Sequence, residues 1–234
     1  MGGIMNTSPS SREFLLGVRD ELPILLGVIP FGMIYGILAL SMGLEAAAAQ
    51  SMSYLIFAGS AQLMTVQLVG AAAPAAVMII TGFVINLRHA LYSASVAPYV
   101  QHLSPAWKGL LAYLLTDEAY AVTITHYRQE GELGHKHWYF LGAGLALWTS
   151  WQISTAVGIF LGAQVPASWG LEFTLALTFI ALVVPQIRDR PSILAALTAG
   201  LVAVIAAGLP YKLSLLTAAL AGIVVGLWSE QKWK

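Results

Sequence analysis

Long apolar segments separated by short polar ones form the main pattern of hydrophobic and polar residues along this chain. A helix that crosses the hydrocarbon core of a bilayer needs about 20 mainly apolar residues. By that measure the pattern predicts an all-α polytopic membrane protein with about eight transmembrane helices. The predicted spans are residues 22–44, 51–72, 75–99, 107–127, 138–163, 170–186, 192–208 and 212–229.

The basic residues predict how these spans are oriented, because Lys and Arg concentrate in segments that face the cytoplasm. With the N-terminus inside, the outer loops hold only Lys108 and Lys212. We therefore predict a cytoplasmic N-terminal segment over 1–21, a single transmembrane transport domain over 22–229 and a cytoplasmic tail over 230–234. Six or seven spans are the alternative if residues 51–72 or 75–99 form a re-entrant segment.

Composition supports the same class of protein. The chain is 58% hydrophobic and 9% charged, with a mean hydropathy of +0.77, whereas soluble domains carry about 25% charged residues. The chain has 11 acidic and 11 basic residues. It therefore lacks the excess of positive charge that would indicate a nucleic-acid partner. The absence of cysteine excludes disulfides, thiolate metal sites and cysteine nucleophiles.

Three charged residues interrupt the apolar pattern in the middle of predicted spans: Arg88, Asp117 and Glu118. Each such charge costs about 2.5–3.5 kcal/mol on insertion scales. Arg88 lies half-way along the third span. Asp117 lies half-way along the fourth span, which crosses the membrane in the opposite direction, so the two residues lie at the same membrane depth. We predict that they pair, either as a structural salt bridge or as part of a functional site. Glu118 is then the spare carboxylate and a candidate proton carrier, with His89 as the other candidate.

Helix-breaking residues indicate where the spans are irregular. Pro23, Pro30 and Gly32 lie in the first span, and FAGSAQ at 57–62 places Gly and Ser in the middle of the second. Backbone groups freed in this way must find other partners or line a wet cavity. Such features are typical of discontinuous helices at a transporter midplane, whose free N–H groups hold carboxylates. Close packing of helices through small residues is the alternative.

Two tryptophans, Trp148 and Trp151, lie in the middle of the fifth span rather than at its ends. An indole N–H buried at that depth needs a hydrogen-bond partner. Their position predicts either a core role or a place in a cavity wall.

Sequence signatures of enzymes are missing. The chain has no H-E-x-x-H, G-x-S-x-G or G-x-x-x-x-G-K-[ST] motif, and no charge ring or filter repeat typical of a channel. His126, His135 and His137 lack the ligand spacing of a zinc site, which favours a solvated loop. We therefore predict a carrier that is not an enzyme and that uses no cofactor or metal.

Four segments carry a family resemblance: GVIPFGMIYG (27–36), FAGSAQ (57–62), NLRHALYSASVAP (86–98) and LLTDEAYAV (114–122). In order and spacing they resemble the AzlC family of branched-chain amino acid permeases, over roughly residues 14–228. The resemblance implies a multi-pass protein of the bacterial inner membrane that exports leucine, isoleucine, valine and methionine. It also implies a partner, a small AzlD-like membrane subunit.

The candidate site follows from the physical reading of the residues. Arg88, or the N–H groups near Gly59 and Ser60, would hold the substrate carboxylate, and Asp117 would hold the ammonium. An apolar pocket for the side chain and a set of proton carriers complete the prediction: Phe31, Phe57 and Met64 for the pocket, Gln62 and Asn86 as further polar contacts, and Asp117, Glu118 and His89 for the coupled proton.

Two other functions remain open on the sequence alone. The same arginine and acids would serve a transporter of another small solute, such as a cation or an organic acid. A membrane scaffold or sensor without transport activity would use Arg88 and Asp117 only as a structural salt bridge.

Overall fold

The computed structural model describes residues 8–128, 135–164, 187, 189–210 and 213–232. Within these ranges every regular element is an α-helix, as predicted. The predicted span 170–186 lies outside them. The helices are α1 Pro9–Ser41, α2 Ala46–Ile56, α3 Gly59–Gly70, α4 Ala75–Val100, α5 Pro105–Tyr113, α6 Asp117–Tyr127, α7 Lys136–Gly162, α8 Arg190–Ile205 and α9 Leu213–Lys232.

Four of the described helices, α1, α4, α7 and α9, are long and apolar enough to cross a membrane, and α8 is a shorter apolar helix. Large apolar side chains stay exposed along them, such as Ile79, Phe83 and Leu91 on α4. Exposed apolar surface of this extent is expected of helices that face lipid. The total of about eight spans, and the sidedness of the termini, stay predictions.

The chain divides into two compact units. Unit 1 comprises Met1–Leu63 and Gly82–Val165, and unit 2 comprises Met64–Thr81 and Pro166–Lys234. Unit 1 therefore contains α1, α2, α5, α6 and α7, together with the beginning of α3 and most of α4. The residues of the candidate site, apart from Met64, fall in unit 1.

The first helix is continuous, contrary to the interruption that Pro23, Pro30 and Gly32 indicated. It begins at Pro9, well before residue 22, where the Ser8 hydroxyl accepts a hydrogen bond from the Ser11 N–H at 3.3 Å. Proline is tolerated inside a membrane helix when neighbouring helices and local adjustments satisfy the freed groups. Here α7 packs along α1 and supplies that neighbour.

Glycines bring α1 and α7 into backbone contact. A Cβ built on Gly17 would lie 2.0 Å from the Tyr139 carbonyl oxygen, and one on Gly158 would lie 2.2 Å from the Met33 carbonyl oxygen. Small residues drive close association of membrane helices in this way, because packing replaces the hydrophobic effect there. We call the following set the glycine seam, in which Gly32 meets the Ser154 side chain and the other five meet backbone: Gly17, Gly32, Gly36, Gly142, Gly158 and Gly162.

Polar side chains fasten α2 to both helices of the seam. The Tyr35 hydroxyl donates to the Ala49 carbonyl at 2.8 Å. Gln152 of α7 accepts from Gln50 at 3.0 Å and donates to the Ser53 carbonyl at 3.2 Å. Ser53 of α2 is fully buried, and its hydroxyl lies 3.2 Å from the Thr155 hydroxyl of α7. Such bonds are worth about 0.6 kcal/mol each in membranes, so together they position α2 firmly.

Two predicted spans are interrupted in the part of the chain that the structure describes, and the sequence indicated only the first of these two breaks. The predicted span 51–72 is split into α2 and α3, and the predicted span 107–127 is split into α5 and α6. The predicted span 75–99, for which a re-entrant segment was the alternative, is the continuous helix α4. The polar residues of α4 therefore do not break it. The break between α5 and α6 follows from a helix cap at Thr116, which a count of apolar residues does not reveal.

In unit 2, α8 packs against α9 through small residues, since a Cβ on Gly222 would lie 3.0 Å from the Ala195 carbonyl oxygen. Asp189 caps α8 by accepting from the Ser192 N–H at 2.8 Å. The hydrogen bonds from Ser192 hold the pKa of the Asp189 carboxyl below its ordinary value.

Candidate functional site

The break between α2 and α3 and the break between α5 and α6 border one cavity. Arg88 of α4 also lines this cavity. The polar side of the cavity consists of residues from the beginnings of α3 and α6 and from the middle of α4: Ser60, Arg88, His89, Thr116, Asp117 and Glu118. Two helix N-termini and a guanidinium are therefore gathered at one place. Such gathering of broken helices is the usual construction of substrate sites in secondary transporters.

The first break lies between α2 and α3. Phe57 ends α2 with φ +42° and ψ +49°, a left-handed conformation that non-glycine residues rarely adopt. The Ala58 N–H donates to the Gln62 side-chain oxygen at 3.2 Å, and α3 begins at Gly59. The first turn of a helix leaves N–H groups without partners inside the helix and carries partial positive charge. This end of α3 can therefore receive an anion.

The second break lies between α5 and α6, over residues 114–116. The Thr116 hydroxyl accepts from the Ala119 N–H at 3.3 Å and caps α6. Asp117 and Glu118 follow in the first turn of α6. They were predicted in the middle of a helix, which is wrong. At a helix beginning, the helix dipole favours a carboxylate by about 0.3–1 kcal/mol. The break therefore offsets part of the free-energy cost of placing these two charges in the membrane.

Arg88 connects the two breaks. Its Nη1 donates to Asp117 Oδ2 at the start of α6, and its Nη2 donates to Ser60 Oγ at the start of α3, 3.3 Å away. The side chains of Arg88 and Asp117 are 29% and 36% exposed. The pairing expected from their shared depth is therefore present, and it remains accessible from the cavity.

His89 lines the same cavity beside Arg88. Its Nδ1 lies 3.2 Å from the Asn86 carbonyl oxygen, one turn back in α4. Its ring meets the edge of Tyr92, which stacks on Tyr120 of α6 with ring centroids 4.5 Å apart. A carbonyl oxygen only accepts, so Nδ1 carries the proton and Nε2 is left for other partners.

An aromatic wall closes the other side of the cavity. Phe31 of α1 and Trp151 of α7 have ring centroids 5.8 Å apart, and Val28, Phe57 and Leu147 complete the wall. Trp151 thus takes the cavity-wall position, whereas Trp148 donates to the Tyr113 hydroxyl at 2.8 Å. The cavity encloses about 40 Å³. A water needs about 10–15 Å³ by this measure, so this conformation holds a few waters rather than an amino acid.

Most of the residues that the sequence singled out come together here. The cavity is lined by these predicted residues: Phe31, Phe57, Gly59, Ser60, Arg88, His89, Asp117 and Glu118.

Three predicted site residues do not line it. Gln62 is fully buried and holds the Ala58 N–H, so it supports the break from behind. Asn86 takes part only through its carbonyl, which faces His89. Met64 belongs to unit 2 and is not among the lining residues.

Several residues of the site escaped the sequence reading. Thr116 lines the cavity and caps α6, and the Thr-Asp-Glu order of a helix start was the signal that marked it. Val28 and Leu147 gave no signal, because one more apolar residue in an apolar span looks like all the others. Among the residues that the structure describes, no group of three or more His, Cys, Asp or Glu is arranged to hold a metal.

The narrow packing at Gly59 leads to a testable prediction. A Cβ at this position would lie 2.8 Å from the Trp151 ring and 3.0 Å from the Phe31 ring. We expect Gly59→Ala to displace the start of α3 and weaken transport, and Trp151→Phe in the same chain to restore part of it by making room. Gly82→Ala is the control, because nothing lies within 4 Å of its Cβ position. Transport assays on the three variants check this, and full activity of Gly59→Ala alone would contradict it.

Comparison with known proteins finds membrane proteins of similar sequence. The inner membrane protein YgaZ of Escherichia coli (strain K12) is 27% identical over 225 residues, which cover 94% of this chain and 90% of that protein. An uncharacterized membrane protein of Archaeoglobus fulgidus is 29% identical over 232 residues, covering 97% and 100%. The branched-chain amino acid transport protein AzlC of Bacillus subtilis (strain 168) is 27% identical over 179 residues, covering 76% and 69%.

No solved structure matches the chain at a significant level. The family model described as AzlC protein matches residues 23–165, which contain both helix breaks, Arg88, Asp117 and Glu118. The chain therefore belongs to the AzlC family, a family of membrane transport proteins.

Proposed function

We propose that this protein is a secondary transporter that exports branched-chain and similar hydrophobic amino acids across a bacterial inner membrane, coupled to protons and with a small AzlD-like partner subunit. The observation that supports it best is the cavity where two broken helices meet at an Arg–Asp pair. The name of the Bacillus subtilis relative supplies the substrate class.

The charges of the cavity favour a zwitterion. Arg88 and Asp117 are paired with each other in this conformation. An amino acid that enters between them gives a carboxylate to Arg88 and an ammonium to Asp117, so each charge keeps an opposite partner. A lone cation or a lone carboxylate would leave one of the two residues unpaired, which is costly in a low-dielectric site. Amino acids therefore fit the pair better than the singly charged solutes do.

The start of α3 adds a second place for the substrate carboxylate. The N–H groups of its first turn, at Gly59 and Ser60, border the cavity, and helix N-termini bind carboxylates. Ser60 already accepts a hydrogen bond from Arg88. The carboxylate would thus lie between the guanidinium and the α3 terminus, which fixes its orientation.

The aromatic wall accounts for selectivity. Phe31, Phe57 and Trp151 present apolar surface to the cavity, together with Val28 and Leu147. One methylene changes binding in such a pocket by only about 1–3 kcal/mol. We therefore expect leucine, isoleucine, valine and methionine to be handled alike.

The cavity of about 40 Å³ is smaller than an amino acid. Binding therefore requires the cavity to widen, and this conformation corresponds to a closed state of the transport cycle.

Substrate competition is the experiment that tests this proposal. The chain is co-reconstituted in vesicles with its small partner subunit, and movement of labelled leucine is followed under an imposed pH gradient. Leucine, isoleucine, valine and methionine should compete comparably. Isoamylamine and 4-methylpentanoate, which each keep one charged group of leucine, should compete weakly.

Each other result points to a different function. Strong competition by isoamylamine would indicate a cation transporter, and strong competition by 4-methylpentanoate an organic-acid transporter. No labelled leucine movement by correctly inserted protein would favour the scaffold. Any of the three would overturn the proposed substrate.

A further inference from the structure

The beginning of α5 and the end of α6 lie against the same end of α7. At the beginning of α5, the Trp107 ring contacts Trp138 in the first turn of α7, with ring centroids 5.1 Å apart. At the end of α6, the His126 ring stacks on Tyr139 with centroids 3.8 Å apart. The two outer ends of the α5–α6 segment are therefore both at the level where α7 begins.

The break between α5 and α6 lies further along α7. Leu114 ends α5, and a Cβ built on Gly144 would lie 2.8 Å from the Leu114 Cβ. Thr116, which begins α6, lines the cavity together with Trp151 of α7. At a rise of 1.5 Å per residue, these contacts lie roughly 9–20 Å beyond the first turn of α7. Thus α5 runs along α7 into the protein, and α6 runs back along it.

The lengths of the helices agree with this path. With 9 residues in α5 and 11 in α6, the two helices extend about 14 and 17 Å, and each reaches about half-way through a hydrocarbon core of roughly 30 Å. They would cross it only if they were arranged end to end, whereas both lie beside the first half of α7. The contacts therefore do not support the span predicted for residues 107–127.

Two other helices of unit 1 have an end at this level. Near the beginning of α1, Glu13 Oε2 lies 2.8 Å from His126 Nε2. At the end of α4, the Tyr99 ring lies 5.1 Å from the Tyr127 ring, measured between centroids. The beginnings of α1, α5 and α7 and the ends of α4 and α6 thus share one face of unit 1. We call it the α1 face, and it is marked by these residues: Glu13, Tyr99, Trp107 and His126.

Side chains hold α5 and α6 in place, whereas backbone packing holds their neighbours. The glycine seam joins α1 and α7 closely, but α6 contains no glycine, and nothing lies within 4 Å of a Cβ at Gly109 of α5. Instead, the Tyr120 hydroxyl of α6 donates to Ser95 Oγ at 2.9 Å, and the Tyr127 hydroxyl donates to the Lys136 carbonyl at 3.2 Å. Side chains can exchange such partners by rotating. The α5–α6 segment can therefore move while the seam stays intact.

We propose that α5 and α6 form a re-entrant hairpin that gates the cavity from the α1 face. Its tip at Thr116 and Asp117 lines the cavity, and α6 leads from there to the α1 face, so moving α6 opens a route between them. Arg88 holds the tip through Asp117, and Glu13 holds the outer end through His126. A substrate that enters between Arg88 and Asp117 releases the tip. That last step rests on the proposed function, whereas the path of the hairpin does not.

Single cysteines test the path of the hairpin, because the chain has no cysteine of its own. Lys108 and Arg128 lie at the two outer ends of the hairpin and Gln164 lies beyond the end of α7, and all three are exposed. In sealed vesicles of either orientation, a membrane-impermeant maleimide should modify Lys108→Cys and Arg128→Cys from the same side and Gln164→Cys from the other. Gln101→Cys, exposed between α4 and α5, replaces Lys108→Cys if that variant does not react. Modification of the two hairpin ends from opposite sides, as the eight-span prediction requires, would overturn the proposal.

Labelling of the cavity tests the gate without any transport. Val28 of α1 lines the cavity, so Val28→Cys should react slowly with a small impermeant thiol reagent added from the α1 face. Adding Glu13→Ala should speed this reaction roughly 2- to 10-fold, because one hydrogen bond fewer shifts the closed–open equilibrium by about that factor. The matched control is Glu45→Ala, since Glu45 is exposed and makes no side-chain capping bond at α2.

Equal labelling rates for the Glu13 and Glu45 variants would overturn the gate. If Glu13→Ala does not insert, His126→Phe takes its place, because it keeps an aromatic ring against Tyr139 and removes the contact with Glu13. It should speed the labelling in the same way, and an unchanged rate would count equally against the gate.

A reversible cross-link tests the role of the gate in transport. In vesicles with the partner subunit, the double variant Glu13→Cys, His126→Cys should stop moving leucine when a bifunctional thiosulfonate joins the two positions, and should resume when a reductant removes it. Each single variant should keep its leucine movement after the same treatment. Unchanged movement after complete cross-linking would overturn the gate. If the wild type moves no leucine, the proposed function fails, and the labelling experiments still decide the hairpin.

Discussion

Replacing Asp117 with asparagine is expected to abolish gradient-driven transport. The substitution leaves the partly exposed Arg88 guanidinium without its anionic partner, which destabilises the cavity. It also removes the carboxylate that would hold the substrate ammonium. A charge-assisted hydrogen bond is worth about 1.5–3 kcal/mol, which corresponds to roughly a 10- to 100-fold loss of affinity. Leucine binding and uptake, measured on protein normalised for insertion, check this.

A double variant separates the structural role of the pair from its transport role. Asp117→Asn and Arg88→Gln should each lower the yield of folded protein, and the two together should recover yield because no charge is left unpaired. Transport should stay absent in the double variant. Recovery of transport together with yield would mean that the pair serves only as a salt bridge.

Asp189→Asn is the matched control for these experiments. Asp189 caps α8 in unit 2, and asparagine caps helices about as well as aspartate. The same change of residue type should therefore leave both yield and transport unaltered. A loss in this control would show that the assay responds to general destabilisation.

Replacing Gly36 with alanine is expected to prevent stable assembly of α1 and α7. The added Cβ would lie 2.5 Å from the Thr155 carbonyl oxygen and 2.6 Å from the Ile159 nitrogen. Both are helix backbone atoms, so no side chain can turn aside, and the helices must separate. Overpacking of cores costs about 1–3 kcal/mol, and we expect the upper part of that range. Thermal unfolding of detergent-solubilised protein, followed by size-exclusion chromatography, measures the loss.

The same helix offers the control, because nothing lies within 4 Å of a Cβ at Gly27. Gly27→Ala should preserve stability or raise it by up to about 1 kcal/mol, since alanine favours helix more than glycine does. Equal stabilities for the Gly27 and Gly36 variants would show that the glycine seam does not hold α1 on α7.

Sequence reasoning placed the main features of the candidate site because intramembrane charge is rare and expensive. Arg88, Asp117 and Glu118 stood out against an apolar background, and their equal depth followed from the helical rise. The break at 57–62 stood out through Gly and Ser. By contrast, Glu21 escaped notice because it precedes an apolar span directly, where an acid is commonly solvated. It is fully buried in the structure, where α6 and α7, which lie far along the chain, pack against α1.

The apolar pattern and the proline positions gave opposite answers about continuity, and the tertiary structure decided between them. Pro23 and Pro30 do not interrupt α1, since α7 packs along it through the glycine seam. The fourth predicted span is interrupted although it contains no proline, because Thr116 caps a new helix that begins with Asp117 and Glu118. Local sequence thus determined that the chain is helical, apolar and charged at these positions. Which helices break, and which carboxylates meet Arg88 or become buried, depended on contacts between distant helices.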